Sequence, residues 1–129
     1  MHKAVRTFDA QYKLLTRMGK SIETKRGINN RALSYLGGFI QSAFRAQHLD
    51  VESRHAFAIF MLVYEQLWGE EAGKTYLAHW VDSLNDDETQ AGTLIGTEDY
   101  WFCSRMNKQP IRWFGCFEDS EKISGKGDE

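Results

Sequence analysis

The side chains with the clearest capacity for covalent catalysis are two cysteines and four histidines. They are Cys103, Cys116, His2, His48, His55 and His79. A hydrolase or transferase of this kind needs a nucleophile, a base and an orienting group brought together. No GxSxG, CxxC or catalytic-cysteine motif connects these residues along the chain. A small cysteine-dependent enzyme is therefore only our second alternative, and we expect both cysteines to be free thiols that serve packing.

Metal and nucleotide binding have little support in the residue pattern. His79 and Asp82 are three residues apart, and His48 and His55 flank a turn, but pairs of this kind often arise by chance. The HExxH, EF-hand and zinc-finger spacings are absent, as is a glycine-rich phosphate loop between a strand and a helix. We therefore expect no catalytic residue, no metal and no cofactor.

Charged residues are segregated along the chain, although the formal net charge is only −2. Residues 1–31 contain eight Lys or Arg against two acidic residues, whereas residues 65–99 contain nine acidic residues against one Lys. Such segments can bind an oppositely charged surface, or they can balance each other within the molecule. The candidate partner-binding residues among them are Lys20, Lys25, Arg26 and Arg31 in the basic segment and Asp86, Asp87 and Glu88 in the acidic segment.

The basic segment raises the first alternative, a nucleic-acid-associated regulator. Lys and Arg side chains bind phosphates, and backbone N–H groups at a helix N-terminus can assist them. However, no RNP, KH, zinc-finger or recognised helix-turn-helix signature accompanies the charge. We therefore expect a protein partner, with nucleic acid as the second choice.

Aromatic residues are concentrated near the C-terminus. Six rings lie within eighteen residues, namely Tyr100, Trp101, Phe102, Trp113, Phe114 and Phe117. Adjacent rings on a strand point to opposite faces, so one face can cover the helices while the other leaves rings exposed. Exposed Trp and Arg side chains are typical of interface hot spots. We therefore predict partner-binding residues at Trp101, Arg105, Arg112 and Trp113, with burial of the second face by a neighbouring segment as the alternative.

Most of the chain has the apolar period of a helix, so helices must position these residues. The pattern predicts about four helices, over residues 7–18, 29–48, 50–68 and 70–84. The helix over 50–68, with Asp50 as its N-cap, is apolar on every side and is expected at the centre of the fold. It forms the predicted central helical hairpin with the helix before it, and Gly37 and Gly38 would allow a close approach.

The C-terminal part of the chain has a different pattern. Residues 85–92 predict an exposed acidic loop. The segments TLIG, YWFCSR and PIRWFGCF predict a small antiparallel β-hairpin or meander within residues 93–117, with a short helix from Tyr100 as the alternative. The predicted fold class is thus mainly α (α+β). It comprises a single globular domain over 1–118 and a flexible polar tail over 119–129.

Length and composition fit an ordinary globular domain. The chain has 129 residues, of which 42% are hydrophobic and 26% are charged, enough to bury a core without disulfides or metals. The longest apolar run covers residues 56–64, about half of what a membrane span needs. The N-terminus lacks the apolar region of a secretory signal, so we expect a cytoplasmic protein with no membrane contact.

The sequence therefore predicts a non-enzymatic protein-binding module that occludes or bridges a larger partner. Its interface would be built from the aromatic hairpin and one charged segment. Small inhibitors and adaptors of phages and plasmids, including inhibitors of CRISPR and restriction systems, have this general make-up. By that analogy, which rests on no motif, the partner would be a larger protein complex that handles nucleic acid or serves in defence.

Overall fold

The computed structural model of the chain describes residues 2–117. Within them lie five α-helices: α1 (His2–Arg17), α2 (Asn30–Ala46), α3 (Arg54–Trp68), α4 (Glu70–Asp82) and α5 (Asp87–Met106). Strands β1 (Glu23–Thr24) and β2 (Gly27–Ile28) form a two-stranded antiparallel sheet between α1 and α2. A 3-10 helix, Phe114–Phe117, closes the described region. The predicted polar tail over 119–129 lies outside the described residues.

The mainly helical class is confirmed, and the first four helices overlap the predicted ranges, although α1 begins five residues earlier than the predicted residue 7. Helix α3 begins later than expected, because its N-cap is Ser53 rather than Asp50. The Ser53 side chain accepts the N–H of Ala56 at 3.1 Å. Asp50 instead accepts the N–H of Glu52 at 3.0 Å within the preceding turn. A serine cap at the end of the turn therefore sets the start of the helix.

The predicted C-terminal β-hairpin is wrong, and so is the acidic loop before it. Residues 87–106 form one continuous helix, α5, which adds a fifth helix to the predicted four. Asp86 caps it by accepting the N–H groups of Glu88 and Thr89 at 3.1 and 3.2 Å. Asn107 ends it in the left-handed conformation, with φ of 51°. These two caps outweigh the strand preference of the aromatic and β-branched residues between them.

Helix α2, rather than α3, is the centre of the fold. Twelve of its residues are buried, against five in α3. Phe57 and Leu62 of α3 are exposed, although the sequence of that helix is apolar on every side. The predicted α2–α3 hairpin is also not the main packing unit, because α2 packs chiefly on α5 and α3 chiefly on α4.

Glycines allow α2 to approach its neighbours closely. Those at the contacts are Gly37 and Gly38 in α2 and Gly92 and Gly96 in α5. A Cβ atom on Gly38 would overlap the backbone of Thr93, and one on Gly96 would overlap the carbonyl group of Tyr35. Gly37 instead accommodates the indole ring of Trp80 from α4. The packing role expected for Gly37 and Gly38 is therefore confirmed, but their partners belong to α4 and α5.

Aromatic rings from α1, α2 and the C-terminal segment fill the core beside these contacts. Phe8 lies edge-on to Tyr35, Phe39 and Trp113, with ring centroids 5.0–5.8 Å apart. Phe117 is fully buried against Trp113 at 5.3 Å. Edge-to-face pairs of this kind add to the stabilisation that comes from buried area. The residues after α5 therefore pack against α1, the first helix of the chain.

Candidate functional site

The two tryptophans predicted as partner-binding residues have opposite environments. Trp113 is fully buried, and its Nε1–H donates to the carbonyl oxygen of Ala32 at 2.8 Å. Trp101 lies on α5 and is 42% exposed. The expected aromatic hairpin surface containing both is therefore not formed. Trp113 belongs to the core, and Trp101 remains accessible to a partner.

Trp101 is part of a row of exposed side chains on the side of α5 that faces away from α2. The members are Leu94, Glu98, Trp101, Phe102, Arg105 and Met106, and we call this row the α5 outer face. Spacings of three, four and seven residues place the first five of them on one side of the helix, and Met106, four residues after Phe102, is exposed at the helix end. The buried residues Gly92, Gly96, Asp99 and Cys103 lie on the opposite side. Four of the six exposed side chains are large and apolar.

Charged groups border the apolar residues of the α5 outer face. Arg112 Nη1 lies 3.7 Å from Glu98 Oε1, and both side chains remain about half exposed. An ion pair this long and this exposed contributes little to stability. Arg105 is exposed one turn after Trp101. Trp101, Arg105 and Arg112, three of the residues predicted from the sequence, therefore border one surface.

A buried polar cluster around Asp99 holds α5 and the following turn in place. The Asp99 carboxylate, 1% exposed, accepts hydrogen bonds from the Tyr35 hydroxyl and from the Cys103 thiol. It also accepts the backbone N–H of Arg112 at 3.3 Å. Burial and the bond to Asp99 raise the pKa of Tyr35 far above its ordinary value, so the phenol stays protonated as a donor.

Sequence reasoning missed the role of Asp99 because the residue stands in an acidic segment. The available signal was its spacing. Asp99 lies three residues after Gly96 and four before Cys103, which puts it on the buried side of a helix. A buried carboxylate is tolerated only where donors satisfy it, as they do at this position.

Part of the predicted basic segment pairs with part of the predicted acidic segment. Arg31 donates two hydrogen bonds to the Glu88 carboxylate from one edge of its guanidinium group, with Nε–Oε2 at 2.7 Å and Nη2–Oε1 at 3.3 Å. Asn30 Nδ2 donates to Asp86 Oδ2 at 3.1 Å, and this bond holds the pKa of the Asp86 carboxyl below its usual range. These contacts join the N-termini of α2 and α5. Charge balance within the molecule, one of the two expected roles, therefore accounts for Arg31 and Glu88.

Three of the remaining charged candidates, Lys20, Lys25 and Arg26, lie outside α5. Lys25 and Arg26 occupy the turn between β1 and β2, where the Thr24 hydroxyl accepts the N–H of Arg26 at 3.2 Å. Lys20 is half-buried in the segment after α1, and Asp87 is exposed in the first turn of α5. The predicted site residues are thus distributed over several regions, and Trp101, Arg105 and Arg112 are the ones that we place along the α5 outer face.

Both cysteines are buried free thiols, as the sequence predicts. Burial, assisted by the neighbouring Asp99 carboxylate, raises the pKa of Cys103 from 9.0 to about 11. Burial also raises the pKa of Cys116 from 9.0 to about 12. Cysteine nucleophiles react as thiolates, and these environments favour the neutral thiol. They are the environments of structural cysteines.

We expect iodoacetamide to leave both thiols of the folded protein unmodified at neutral pH, while it modifies both in urea, as measured by mass spectrometry. Rapid modification at neutral pH, with an unchanged circular dichroism spectrum, would contradict this prediction.

The same thiols make the stability of the protein depend on pH. Because folding raises the pKa values of both Cys103 and Cys116, the stabilisation from the protonated thiols is complete below pH 9 and is lost as the pH rises through about 11 to 12.

The described residues, 2–117, provide neither a metal-binding group nor a membrane-spanning helix. They contain no group of three or more His, Cys, Asp or Glu side chains arranged to hold a metal ion. None of the described helices combines the length and the apolar character needed to cross a membrane. Comparison of the chain with protein-family models, with curated proteins and with solved structures finds no match.

Proposed function

We propose that this chain is a non-enzymatic protein-binding module whose interface is the α5 outer face. The proposal rests on the exposure of Leu94, Trp101, Phe102 and Met106, which is 59%, 42%, 47% and 53%. A buried aromatic side chain removes about 150–250 Å² from water, so four half-exposed large side chains leave on the order of 400 Å² of apolar surface. Patches of this size on monomeric proteins are often functional.

The rigidity of α5 supports the same proposal. The helix lies against α2 through Gly92 and Gly96, and the Asp99 cluster holds its C-terminal half. A rigid face binds without the entropic cost of ordering a loop. Trp101 and Arg105 are residue types that dominate interface hot spots. We therefore propose that a larger protein binds this face and that the module acts by occluding or bridging that partner.

The test is capture of partners by the tagged protein from its native host, quantified by mass spectrometry. Trp101→Ala should reduce the amount of a specific partner about tenfold or more, because truncating a hot-spot residue costs about 2 kcal/mol or more. Circular dichroism should show that the variant remains folded.

Leu62→Ala is the matched control for this experiment. Leu62 is an even more exposed apolar residue, at 64%, and it lies on α3 rather than α5. The control should capture the partner as well as the native protein does. Equal capture by the native protein, Trp101→Ala and Leu62→Ala would overturn the proposal.

A second candidate function, nucleic-acid binding, is favoured by a basic row on α1. Arg6, Lys13 and Arg17 are exposed and lie on one side of that helix. Lys13 pairs with Asp9 at 3.0 Å, yet its side chain remains 70% exposed. Phosphate binding by this row would produce a mobility shift with DNA or RNA that weakens steeply with salt. Absence of a shift at low salt would remove this candidate.

A further inference from the structure

We infer that the α5 outer face is complementary to itself and pairs with the same face of a second copy, forming an antiparallel homodimer. The inference rests on the proposed function, since it takes this face as a protein interface. It goes further by naming an occupant, which is another molecule of this chain. Three features of the face support it: the placement of opposite charges, the charge polarity of the helix and the available apolar area.

Opposite charges lie symmetrically about the aromatic centre of the face. Glu98 lies one turn before the Trp101–Phe102 pair, and Arg105 lies one turn after it. The two charged residues are seven positions apart, about 10 Å along the axis and on the same side of the helix. A two-fold axis between Trp101 and Phe102 therefore places each Glu98 opposite Arg105 of the other copy. Isologous interfaces require this reciprocity.

The exposed charges of α5 also change sign along its length. Glu98 is exposed in the second half of the helix, whereas Arg105 and Lys108 are exposed at its end and just after it. Antiparallel pairing about this axis turns the basic C-terminal end of each α5 toward Glu98 of the other copy and opposes the two helix dipoles. Parallel pairing would instead bring Glu98 of one copy beside Glu98 of the other, and the two carboxylates would repel each other. The charge pattern therefore selects the antiparallel arrangement.

Glu98 can take part in this contact while it faces Arg112 of its own chain. Its carboxylate lies 3.7 Å from the Arg112 guanidinium group and keeps more than half of its side-chain surface exposed. A carboxylate has two oxygens and can accept hydrogen bonds from more than one donor. The intrachain pair thus leaves room for Arg105 of a second copy.

The apolar area of the face fits a weak dimer. Covering the apolar surface of Trp101, Phe102 and Met106 on each copy, on the order of 300 Å², together with the flanking charges, buries roughly 800–1,000 Å² in total. This area is at the low end for specific interfaces, so we expect dissociation in the micromolar range. Exchange between monomer and dimer would leave the face available to a larger partner.

The test uses the full chain in analytical ultracentrifugation, with the charge reversals Glu98→Lys and Arg105→Glu. The native protein should show a dimer that forms with increasing concentration. Each variant alone should associate about tenfold more weakly or worse, because its two reciprocal ion pairs become like-charged contacts. An equimolar mixture of the two variants should associate about as well as the native protein, since every reversed charge then faces its opposite.

Circular dichroism should show that both charge variants are folded, because the substituted side chains are exposed. Leu62→Ala should form the dimer as the native protein does, whereas Trp101→Ala should weaken it. A native protein that remains monomeric across the micromolar to millimolar range would overturn the inference. A mixture that associates no better than either variant alone would do so as well.

The outcomes separate this inference from the proposed function. A monomeric protein whose capture of a larger partner depends on Trp101 would overturn the dimer and leave the proposed function standing. A dimer restored by mixing the charge variants, together with partner capture that is independent of Trp101, would overturn the proposed function and leave the dimer standing.

Discussion

Replacing Gly96 by alanine should destabilise the protein by about 3 kcal/mol or more, or prevent it from folding. The added methyl group would overlap the carbonyl oxygen of Tyr35 and lie 2.9 Å from the backbone nitrogen of Phe39. Both are main-chain atoms of α2, so neither can rotate away. Helix propensity alone predicts the opposite sign, because alanine stabilises a helix interior by about 1 kcal/mol relative to glycine. The sign of the change therefore reports how closely α2 and α5 approach.

Urea denaturation followed by circular dichroism measures this effect. Gly115→Ala is the matched control, because a methyl group there would meet nothing within 4 Å, and its stability should change by less than about 0.5 kcal/mol. Gly38→Ala tests the same helix contact from the other side, since its methyl group would overlap the backbone of Thr93. A Gly96→Ala protein as stable as the native one would contradict the close α2–α5 contact.

The same contact shows which parts of the fold can be predicted from the sequence. Helix α2 is predicted within about two residues because large apolar side chains recur on one side of it. Helix α5 is not predicted, because its buried residues are Thr89, Gly92, Gly96, Asp99 and Cys103, which a hydrophobic pattern does not register. Small residues four apart on a potential helix were the available signal, since they permit a close approach of another helix.

The candidate site is predictable to a similar extent. Residue type alone selects Trp101, Arg105 and Arg112 for an interface, and all three border one exposed surface. Trp113 is selected by the same reasoning but is buried, because its neighbours include Phe8 at the other end of the chain. Local pattern cannot reveal a contact over that sequence separation. It also cannot assign faces correctly when the predicted strand is in fact a helix.

The two tryptophans should consequently differ strongly in their effect on stability. Trp113→Ala should lower the free energy of unfolding by about 4 kcal/mol, because it removes a fully buried side chain and leaves a cavity. The substitution also leaves the Ala32 carbonyl oxygen without the indole donor that lies 2.8 Å away. Trp101→Ala should cost less than about 1 kcal/mol, since its side chain is nearly half exposed.

Chemical denaturation of the two alanine variants measures this difference, and Trp113→Phe refines it. Phenylalanine keeps a ring against Phe8 and Phe117 but lacks the N–H donor, so we expect an intermediate loss of about 1–3 kcal/mol. Equal losses for the two alanine variants would contradict the core position of Trp113. The expected difference in stability also determines how a loss of partner binding by each variant must be interpreted. Trp101→Ala can remove a partner from a folded protein, whereas Trp113→Ala removes the core that holds the residues after α5 against α1 and α2.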